Sequence, residues 1–359
     1  MKIYLLIFLL TVSAMLTNTA CDTTGTNDEP EYLEFPLPVN EKISKLYDCC
    51  DEPDRVGYRN YHFAEWYPGE VYITFQMRRV TLEPRTSIPF VTGEQLIDGN
   101  IMYMTKSETE DKLYGIEITR YKESVGRLNE YDISGDTFTT IRDSSYNISS
   151  IRIRELTDGN LLKIYYSYGN EDNGLEAGYY RLRETGPPDE LLLAHSNPDG
   201  PKETINGFDL SPDGSTLLYP IQPDLVPGPA AYGGPRPELA KLNLNTGLRD
   251  TLPIAFNQQQ FLWARYHPSG EKLVVSNYPR NIVGNVVRSV DLDSMYVVDL
   301  NTFHRRPLDT RTWDQHYTTD IFPSWSPDGN YLIYSSGIVF PKSTTIGEYS
   351  IYTMDMTED

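Results

Sequence analysis

A short phrase that recurs in the second half of the chain is the feature that most constrains its fold. Each copy joins an apolar or aromatic strand to a second apolar strand through a tight turn, and the turn residues are Pro212, Asp213 and Gly214, then Pro268 and Gly270, then Pro327, Asp328 and Gly329. Proline presets φ for the turn, and glycine takes the positive φ that closes the hairpin. A hairpin that repeats within one chain is typical of a repeat fold.

The turn glycines recur at a nearly constant interval. The marks Gly99, Gly159, Gly214, Gly270 and Gly329 are about 55–60 residues apart, and Trp66-Tyr67-Pro68-Gly69 suggests an earlier, abbreviated unit. Two further strands follow within each period, which gives the four-stranded blade of a β-propeller. The sequence therefore predicts an all-β fold: a β-propeller of about six four-stranded blades, with five or seven as the alternatives.

The last period is one strand short. Its third strand is predicted at 351–355, close to the end of the sequence. An open blade would expose a strand edge, which natural β proteins avoid. We expect an N-terminal segment within 32–38 to supply the missing strand and close the ring; a three-stranded last blade is the alternative. The best helical pattern, at 39–46, predicts one or two helical turns.

The repeated phrase also supports a family resemblance. The Ser-Pro-Asp-Gly turn, the apolar strand after it and the third strand Ile351-Tyr352-Thr353-Met354-Asp355 resemble the PD40 (WD40-like) repeats of TolB-type propellers. The resemblance is strong over 205–359, fair over 95–204 and weak before that. It implies the propeller fold more than the TolB role, because 32–58 is too short for the N-terminal domain that precedes the TolB propeller.

The N-terminus resembles the signal of a bacterial lipoprotein. An apolar run at 3–10 is too short for a comfortable membrane span, and small residues precede Cys21, as in a lipobox. Asn18 stands where that family usually has leucine, so an ordinary secretory signal cut near Ala20 is the alternative. The expected organisation is a lipoprotein signal peptide at 1–20, a lipidated Cys21, a flexible tether at 21–32 and a propeller domain at 33–359.

Charge and motifs exclude several classes of function. With 31 Lys and Arg against 51 Asp and Glu, the net charge of −20 argues against nucleic acid and anionic membrane surfaces as partners. No nucleophile elbow, zinc-protease, phosphate-loop or dinucleotide motif is present. His267 is interpreted as a turn residue, and 170–174 lacks the spacing of a calcium loop. We expect no cofactor and no metal. The adjacent Cys49 and Cys50 are either free thiols or a strained disulfide.

Three consecutive blades carry long loops between their second and third strands, at 220–237, 278–293 and 337–348. These loops are expected on the face opposite the short turns, and function in repeat scaffolds concentrates on such loops. The candidate residues for binding an anionic or carboxylate-bearing partner are Tyr232, Arg236, Arg280, Asn281, Arg288 and Lys342. Neutralisation of nearby acids such as Asp224 and Asp291 is the alternative interpretation.

These patterns favour a non-enzymatic, lipid-anchored binding propeller of the bacterial cell envelope, TolB-like, whose partner is an envelope protein or a glycan. The anchor is expected in the outer membrane, with the body either periplasmic or surface-exposed. The alternative is an envelope glycan-acting enzyme, a hydrolase or lyase, with carboxylates in the central funnel.

Overall fold

The regular structure is almost entirely β. The computed structural model describes residues 40–47, 58–67, 70–78, 85–86, 97–98, 101–107, 110–120, 125–132, 134–135, 137–194, 207–221, 238–254, 261–278, 282–283, 286–287, 295–310, 317–339 and 346–357. Within these ranges, two single turns of 3-10 helix, Ser144–Tyr146 and Glu171–Asn173, accompany the strands. The described residues all belong to a compact unit that spans Leu37–Asp359.

The strands form antiparallel meanders of four. The first unit consists of β2 (Tyr58–Tyr67), β3 (Glu70–Arg78), β4 (Arg85–Thr86) and β5 (Ile97–Asp98). The second unit consists of β6 (Ile101–Lys106), β7 (Lys112–Arg120), β8 (Val125–Asp132) and β9 (Thr137–Arg142). The third unit consists of β10 (Ile148–Glu155), β11 (Leu161–Ser167), β12 (Gly178–Arg181) and β13 (Glu190–Ala194). A pairing of Ile148 with Gly126 joins the second and third units in one sheet.

Three more units complete the series. The fourth consists of β14 (Asp209–Leu210), β15 (Thr216–Ile221), β16 (Glu238–Asn243) and β17 (Arg249–Thr251). The fifth consists of β18 (Phe261–Tyr266), β19 (Lys272–Tyr278), β22 (Met295–Asp299) and β23 (Arg305–Pro307), with a small hairpin of β20 (Ile282–Val283) and β21 (Val286–Val287) after β19. The sixth consists of β24 (Tyr317–Trp325), β25 (Tyr331–Val339), β26 (Ile346–Asp355) and β1 (Ile43–Tyr47).

The units are arranged as a β-propeller. The first strand of each unit contacts the first strand of the next, in the order β2, β6, β10, β14, β18 and β24, and β24 contacts β2 in turn. Because the last unit meets the first, the series closes on itself with the first strands innermost. The described strands fall into six four-stranded units, and the sequence predicts about six blades.

An N-terminal strand closes the ring, as predicted. Strand β1 pairs with β26, with Ile43 opposite Met354, and Asp355 donates its backbone N–H to the carbonyl of Lys42. The predicted location was wrong, because this strand follows 32–38, which lies outside the described residues. The helical turns predicted for 39–46 were also wrong. The open edge of β26 offers backbone hydrogen bonds to this segment, and Ile43 is buried in the core of the sixth unit.

One mark of the glycine series was assigned to the wrong connection. Strand β5 ends at Asp98 and β6 begins at Ile101, so Gly99 lies between two units. The hairpin turn of the second unit instead follows β6, where Ser107 donates its N–H to the carbonyl of Lys112 at 3.0 Å. An Asp-Gly-Asn sequence signals a chain reversal, but it does not identify which connection of a blade makes that reversal.

The hydrophobic core lies between neighbouring units. Tyr179 of the third unit packs edge-on against Phe208 of the fourth, with ring centroids 5.1 Å apart. Leu218 of the fourth unit shares a buried cluster with Leu273 of the fifth. Trp325 of β24 packs against His267 of the fifth unit, with ring centroids 4.7 Å apart. Each blade therefore depends on its neighbours for burial of its faces.

Candidate functional site

The predicted long-loop residues are outside the part of the chain that the structure describes. They are Tyr232, Arg236, Arg280, Asn281, Arg288 and Lys342, and the same holds for Cys21, Cys49 and Cys50. Their roles in binding and anchoring therefore remain predictions. The described residues instead define the turns, the innermost strands and one cavity.

The repeated turns are held by their own side chains. The hydroxyl of Ser211 donates to the carboxylate of Asp213, which also accepts the backbone N–H of Ser215 at 3.0 Å. Ser326 and Asp328 repeat this arrangement in the sixth unit. The hydrogen bond from Ser211 is the main cause that lowers the pKa of Asp213. These carboxylates are ionised at neutral pH and serve the turn.

The turn glycines adopt the positive φ that the motif predicts, and their φ angles are +81° for Gly159, +69° for Gly214, +76° for Gly270 and +75° for Gly329. The prolines Pro212, Pro268 and Pro327 lie in the same turns. The motif residues thus connect the first and second strands of four units.

His267 occupies a turn and packs on the next blade. Its Nδ1 is 2.8 Å from the hydroxyl of Ser269, and its ring lies against Trp325 and Gly329. Burial lowers its pKa, which favours the neutral imidazole at neutral pH. Within the described ranges, no group of three or more His, Cys, Asp or Glu side chains is placed to hold a metal ion.

The innermost strands place four side chains at equivalent positions. The residues five positions before the turn glycine are Arg154 on β10, Asp209 on β14, Arg265 on β18 and Ser324 on β24. A propeller enzyme that used funnel carboxylates would require them on these strands. This layer is described in four of the six units, and in those four units Asp209 is its one carboxylate.

Asp209 is engaged by both neighbouring blades. It is 4% exposed, its Oδ2 accepts the backbone N–H of Tyr266 at 2.9 Å, and its Oδ1 lies 3.8 Å from Nη2 of Arg154. Burial raises the pKa of Asp209, although the neighbouring arginines act in the opposite direction. The carboxylate therefore links the third, fourth and fifth units.

The arginines of this layer also link neighbouring blades. Arg154 donates to the carbonyl of Leu210 at 3.0 Å. Arg265 is buried, donates to the carbonyl of Phe208 at 3.0 Å, and lies 5.2 Å from the ring centroid of Trp263. Guanidinium donors shared with backbone carbonyls hold these inner strands in register.

An aromatic pair lies two residues before this layer. Trp263 of β18 packs edge-on against Phe322 of β24, with ring centroids 4.4 Å apart, and this contact joins the fifth and sixth units. Phe322 has φ +57°, an uncommon value for a large side chain. Trp263 also belongs to a buried cluster that includes Ile148 and Ile151 of the third unit. Apolar packing therefore extends between non-adjacent blades.

Sequence reasoning did not single out Asp209 or its arginine partners. Aligning the repeats on the turn glycine places these residues in one column, and that signal was available. The pairing of an acid with basic residues from adjacent repeats becomes evident only when the strands are known to form a ring.

A cavity of about 390 Å³ lies between the fourth and fifth units, next to the short turns. We call it the turn-face groove and define it by the lining residues Asp213, Lys241, Leu252, Tyr266 and Phe303. It lies at the turn end of β15, whereas the long loop after β15 begins at the other end of that strand. This face is opposite the one on which the long loops are expected.

No helix in the described part of the chain is long and apolar enough to cross a membrane.

Comparisons with known proteins concern the fold. No protein-family model and no curated protein matches the sequence. Among solved structures, the chain is similar to TolB from Acinetobacter baumannii, with 12% identity, a TM-score of 0.45 and coverage of 83% of this chain and 63% of that one. The chain thus spans less than two thirds of the length of that TolB.

Two further solved structures are similar over most of their length. An oligogalacturonate lyase from Vibrio parahaemolyticus has 15% identity, a TM-score of 0.48 and coverage of 87% of this chain and 93% of that one. The β-propeller domain of the Trilobed protease from Pyrococcus furiosus has 11% identity, a TM-score of 0.44 and coverage of 83% and 95%. Likenesses at this level of identity bear on the fold alone.

Proposed function

We propose that this chain is a non-enzymatic, lipid-anchored binding propeller of the bacterial cell envelope. Cys21 carries the lipid, 21–32 is the tether, and the propeller presents its long-loop face to an envelope protein or glycan. Arg236, Arg280 and Arg288 contribute to that face.

The observation that supports a binding role over glycan hydrolysis is the state of Asp209. Hydrolysis of a glycosidic bond requires two carboxyl groups that flank the bond, one of them free to donate a proton. In the inner layer described above, the one carboxylate is buried, accepts the amide of Tyr266 and neighbours Arg154. A carboxylate held in this way links blades and is not available to a substrate.

The anchor is tested by cell fractionation. The variant Cys21→Ala is expected to move from the membrane fraction to the soluble fraction, because a lipid chain supplies the membrane affinity. A double variant Cys49→Ala/Cys50→Ala is the matched control and is expected to stay with the membrane. Retention of Cys21→Ala in the membrane at the wild-type level would contradict the proposal.

The binding face is tested by affinity capture from envelope extract with quantitative mass spectrometry. A partner is expected to be captured by the wild-type chain and lost with the triple variant Arg236→Ala/Arg280→Ala/Arg288→Ala. The control is the triple variant Arg183→Ala/Arg249→Ala/Arg306→Ala, which removes the same charge from exposed positions. Equal recovery of every partner by all three chains, or cleavage of envelope glycan by the purified chain, would overturn the proposed function.

A further inference from the structure

Among the third, fourth and fifth units, the turn-face groove lies beside the one turn that has a small residue at its first position. Three positions before the turn glycine, the third, fourth and fifth units carry Leu156, Ser211 and His267. Leu156 and His267 each reach the turn glycine of the next blade and fill the space there. Ser211 instead turns back to Asp213, and its hydroxyl accepts the N–H of Thr216 at 2.9 Å. The corresponding space beside Gly270 is bordered by Pro212, whose Cδ would lie 3.7 Å from a Cβ on that glycine, and it forms part of the groove.

The aromatic residue that lines this space has an unfavourable backbone conformation. Phe303 has φ +57° and donates its N–H to the carbonyl of Asp299 at 2.8 Å. In the matching turn of the fourth unit, Gly247 has φ +70° and makes the same hydrogen bond to Asn243. Glycine adopts this conformation without strain, whereas a bulky residue there is an outlier that invites a functional explanation.

The remaining walls combine apolar and polar groups. Leu252 and Tyr266 line the interior with Phe303, and burial raises the pKa of Tyr266 above its ordinary value. Asp213 is exposed at the rim; its Oδ1 is taken up by Ser211 and Ser215, and its Oδ2 has acceptor capacity beyond the hydroxyl of Ser215. Lys241 provides a donor, and its Nζ lies 3.4 Å from the exposed carboxylate of Asp250. Serine and threonine hydroxyls complete the lining.

We propose that the turn-face groove binds a sugar ring of a neutral glycan. Phe303 and Tyr266 offer aromatic surface to the apolar face of a pyranose, while Asp213 and Lys241 accept and donate hydrogen bonds to its hydroxyls. The two charges at the rim are opposite, and the net charge of −20 disfavours an acidic ligand. The volume of about 390 Å³ falls in the range of roughly 300–1,000 Å³ that small-molecule sites have.

This inference rests on the proposed binding role, because it specifies a ligand class for the propeller. It concerns the short-turn face, whereas the proposed partner face is formed by the long loops. The two proposals therefore fail separately.

The test is calorimetric titration of the purified full-length chain in detergent with maltotetraose, cellotetraose and chitotetraose, and with a uronic-acid tetrasaccharide as the acidic probe. At least one neutral probe is expected to bind. Phe303→Gly is expected to weaken that binding at least tenfold and to keep thermal stability close to the wild-type value, because relief of the positive φ offsets the lost packing of Phe303 against the cluster that contains Leu218 and Leu273. Ser211→Leu fills the groove with the residue of the third unit and is expected to have the same effect on binding.

The control Phe138→Ala, which removes an exposed aromatic ring of the second unit, is expected to bind like the wild-type chain. The long-loop triple variant is also expected to retain sugar binding. Absence of binding by all neutral probes, unchanged affinity in Phe303→Gly, or tighter binding of the uronic-acid probe would overturn the inference.

Discussion

Two glycines occupy the same place in the repeated turn but face different neighbours. Gly159 and Gly329 have φ +81° and +75°. A Cβ on Gly159 would meet no atom within 4 Å, whereas a Cβ on Gly329 would collide with the imidazole of His267. The backbone requirement is therefore shared, and the steric requirement is specific to Gly329.

Alanine substitutions separate these two requirements. Gly159→Ala is expected to lower the free energy of unfolding by about 1–2 kcal/mol, the cost of a left-handed conformation for an L-residue. Gly329→Ala is expected to cost more, because His267 must also move away from Trp325. Urea unfolding of both variants measures the difference between their free energies of unfolding. Equal costs would show that the imidazole adapts without loss of packing.

At the scale of elements, a buried ion pair connects the second and third units. Arg142, at the end of β9, donates to Asp189 through Nε at 2.8 Å and Nη2 at 2.7 Å. The carboxylate also accepts the hydroxyl of Tyr165 at 2.8 Å and the N–H of Arg183 at 2.9 Å. Burial acts to raise the pKa of Asp189, but these hydrogen bonds outweigh it and lower the pKa.

Removal of Arg142 should be strongly destabilising. Arg142→Ala leaves a buried carboxylate without its cation, and we expect a loss of about 3–5 kcal/mol in the free energy of unfolding. The lowered pKa means that the contribution is present above the ordinary aspartate pKa and is lost as the pH falls through the folded-state value. The difference between wild type and variant should therefore narrow on acidification.

The matched control is Lys241→Ala, which breaks the exposed pair with Asp250. An exposed pair contributes about 0–1 kcal/mol, so this variant should unfold much like the wild-type chain. Urea unfolding at pH 7 and at a pH below the ordinary aspartate pKa of 3.8 compares the three chains. A cost for Arg142→Ala as small as that of the control would contradict the prediction.

The closing strand gives a second prediction at this scale. Ile43→Ala is expected to lower the free energy of unfolding by about 2–5 kcal/mol, because Ile43 is buried with Met354. Ser44→Ala is the control, since Ser44 is exposed on the same strand and its change should be about 0.5 kcal/mol or less. Urea unfolding measures the change in the free energy of unfolding for both variants. Similar changes for Ile43→Ala and Ser44→Ala would show that β1 is held by its backbone alone.

The repeat turns made much of this fold predictable, because their residue types determine local geometry. The repeat predicts two further strands after each turn hairpin, and β16 and β22 are the first of these in the fourth and fifth units. The closing strand was misplaced, because its conformation is decided by the edge of β26 and not by its own spacing of apolar residues. The contact between Asp209 and Arg154 was also missed. It depends on which side of each strand faces the next blade, and the spacing of residues along one strand does not determine that.

The whole molecule carries a net charge of −20, so its acidic side chains repel one another in the folded state. Raising the salt concentration from 0.01 M to 0.15 M shortens the Debye length from about 30 Å to about 8 Å. We expect Tm to rise over this range, by about 1–2 °C for each kcal/mol of repulsion that is screened, because the shift per kcal/mol falls as the chain lengthens.

The triple variant Arg183→Ala/Arg249→Ala/Arg306→Ala makes the chain more acidic and should respond more strongly to salt than the wild-type chain. Differential scanning calorimetry at both salt concentrations measures the two responses. A fall in Tm with added salt would show that attractive charge pairs dominate.

The pairing of β1 with β26 also sets an order of events during synthesis. Ser44 and Thr353 meet across 309 residues of chain. Because a chain is synthesised from its N-terminus, β1 emerges from the ribosome long before β26 does. Completion of the sixth unit is therefore a late step of folding, and until then the edge of β1 is available to chaperones or to other chains.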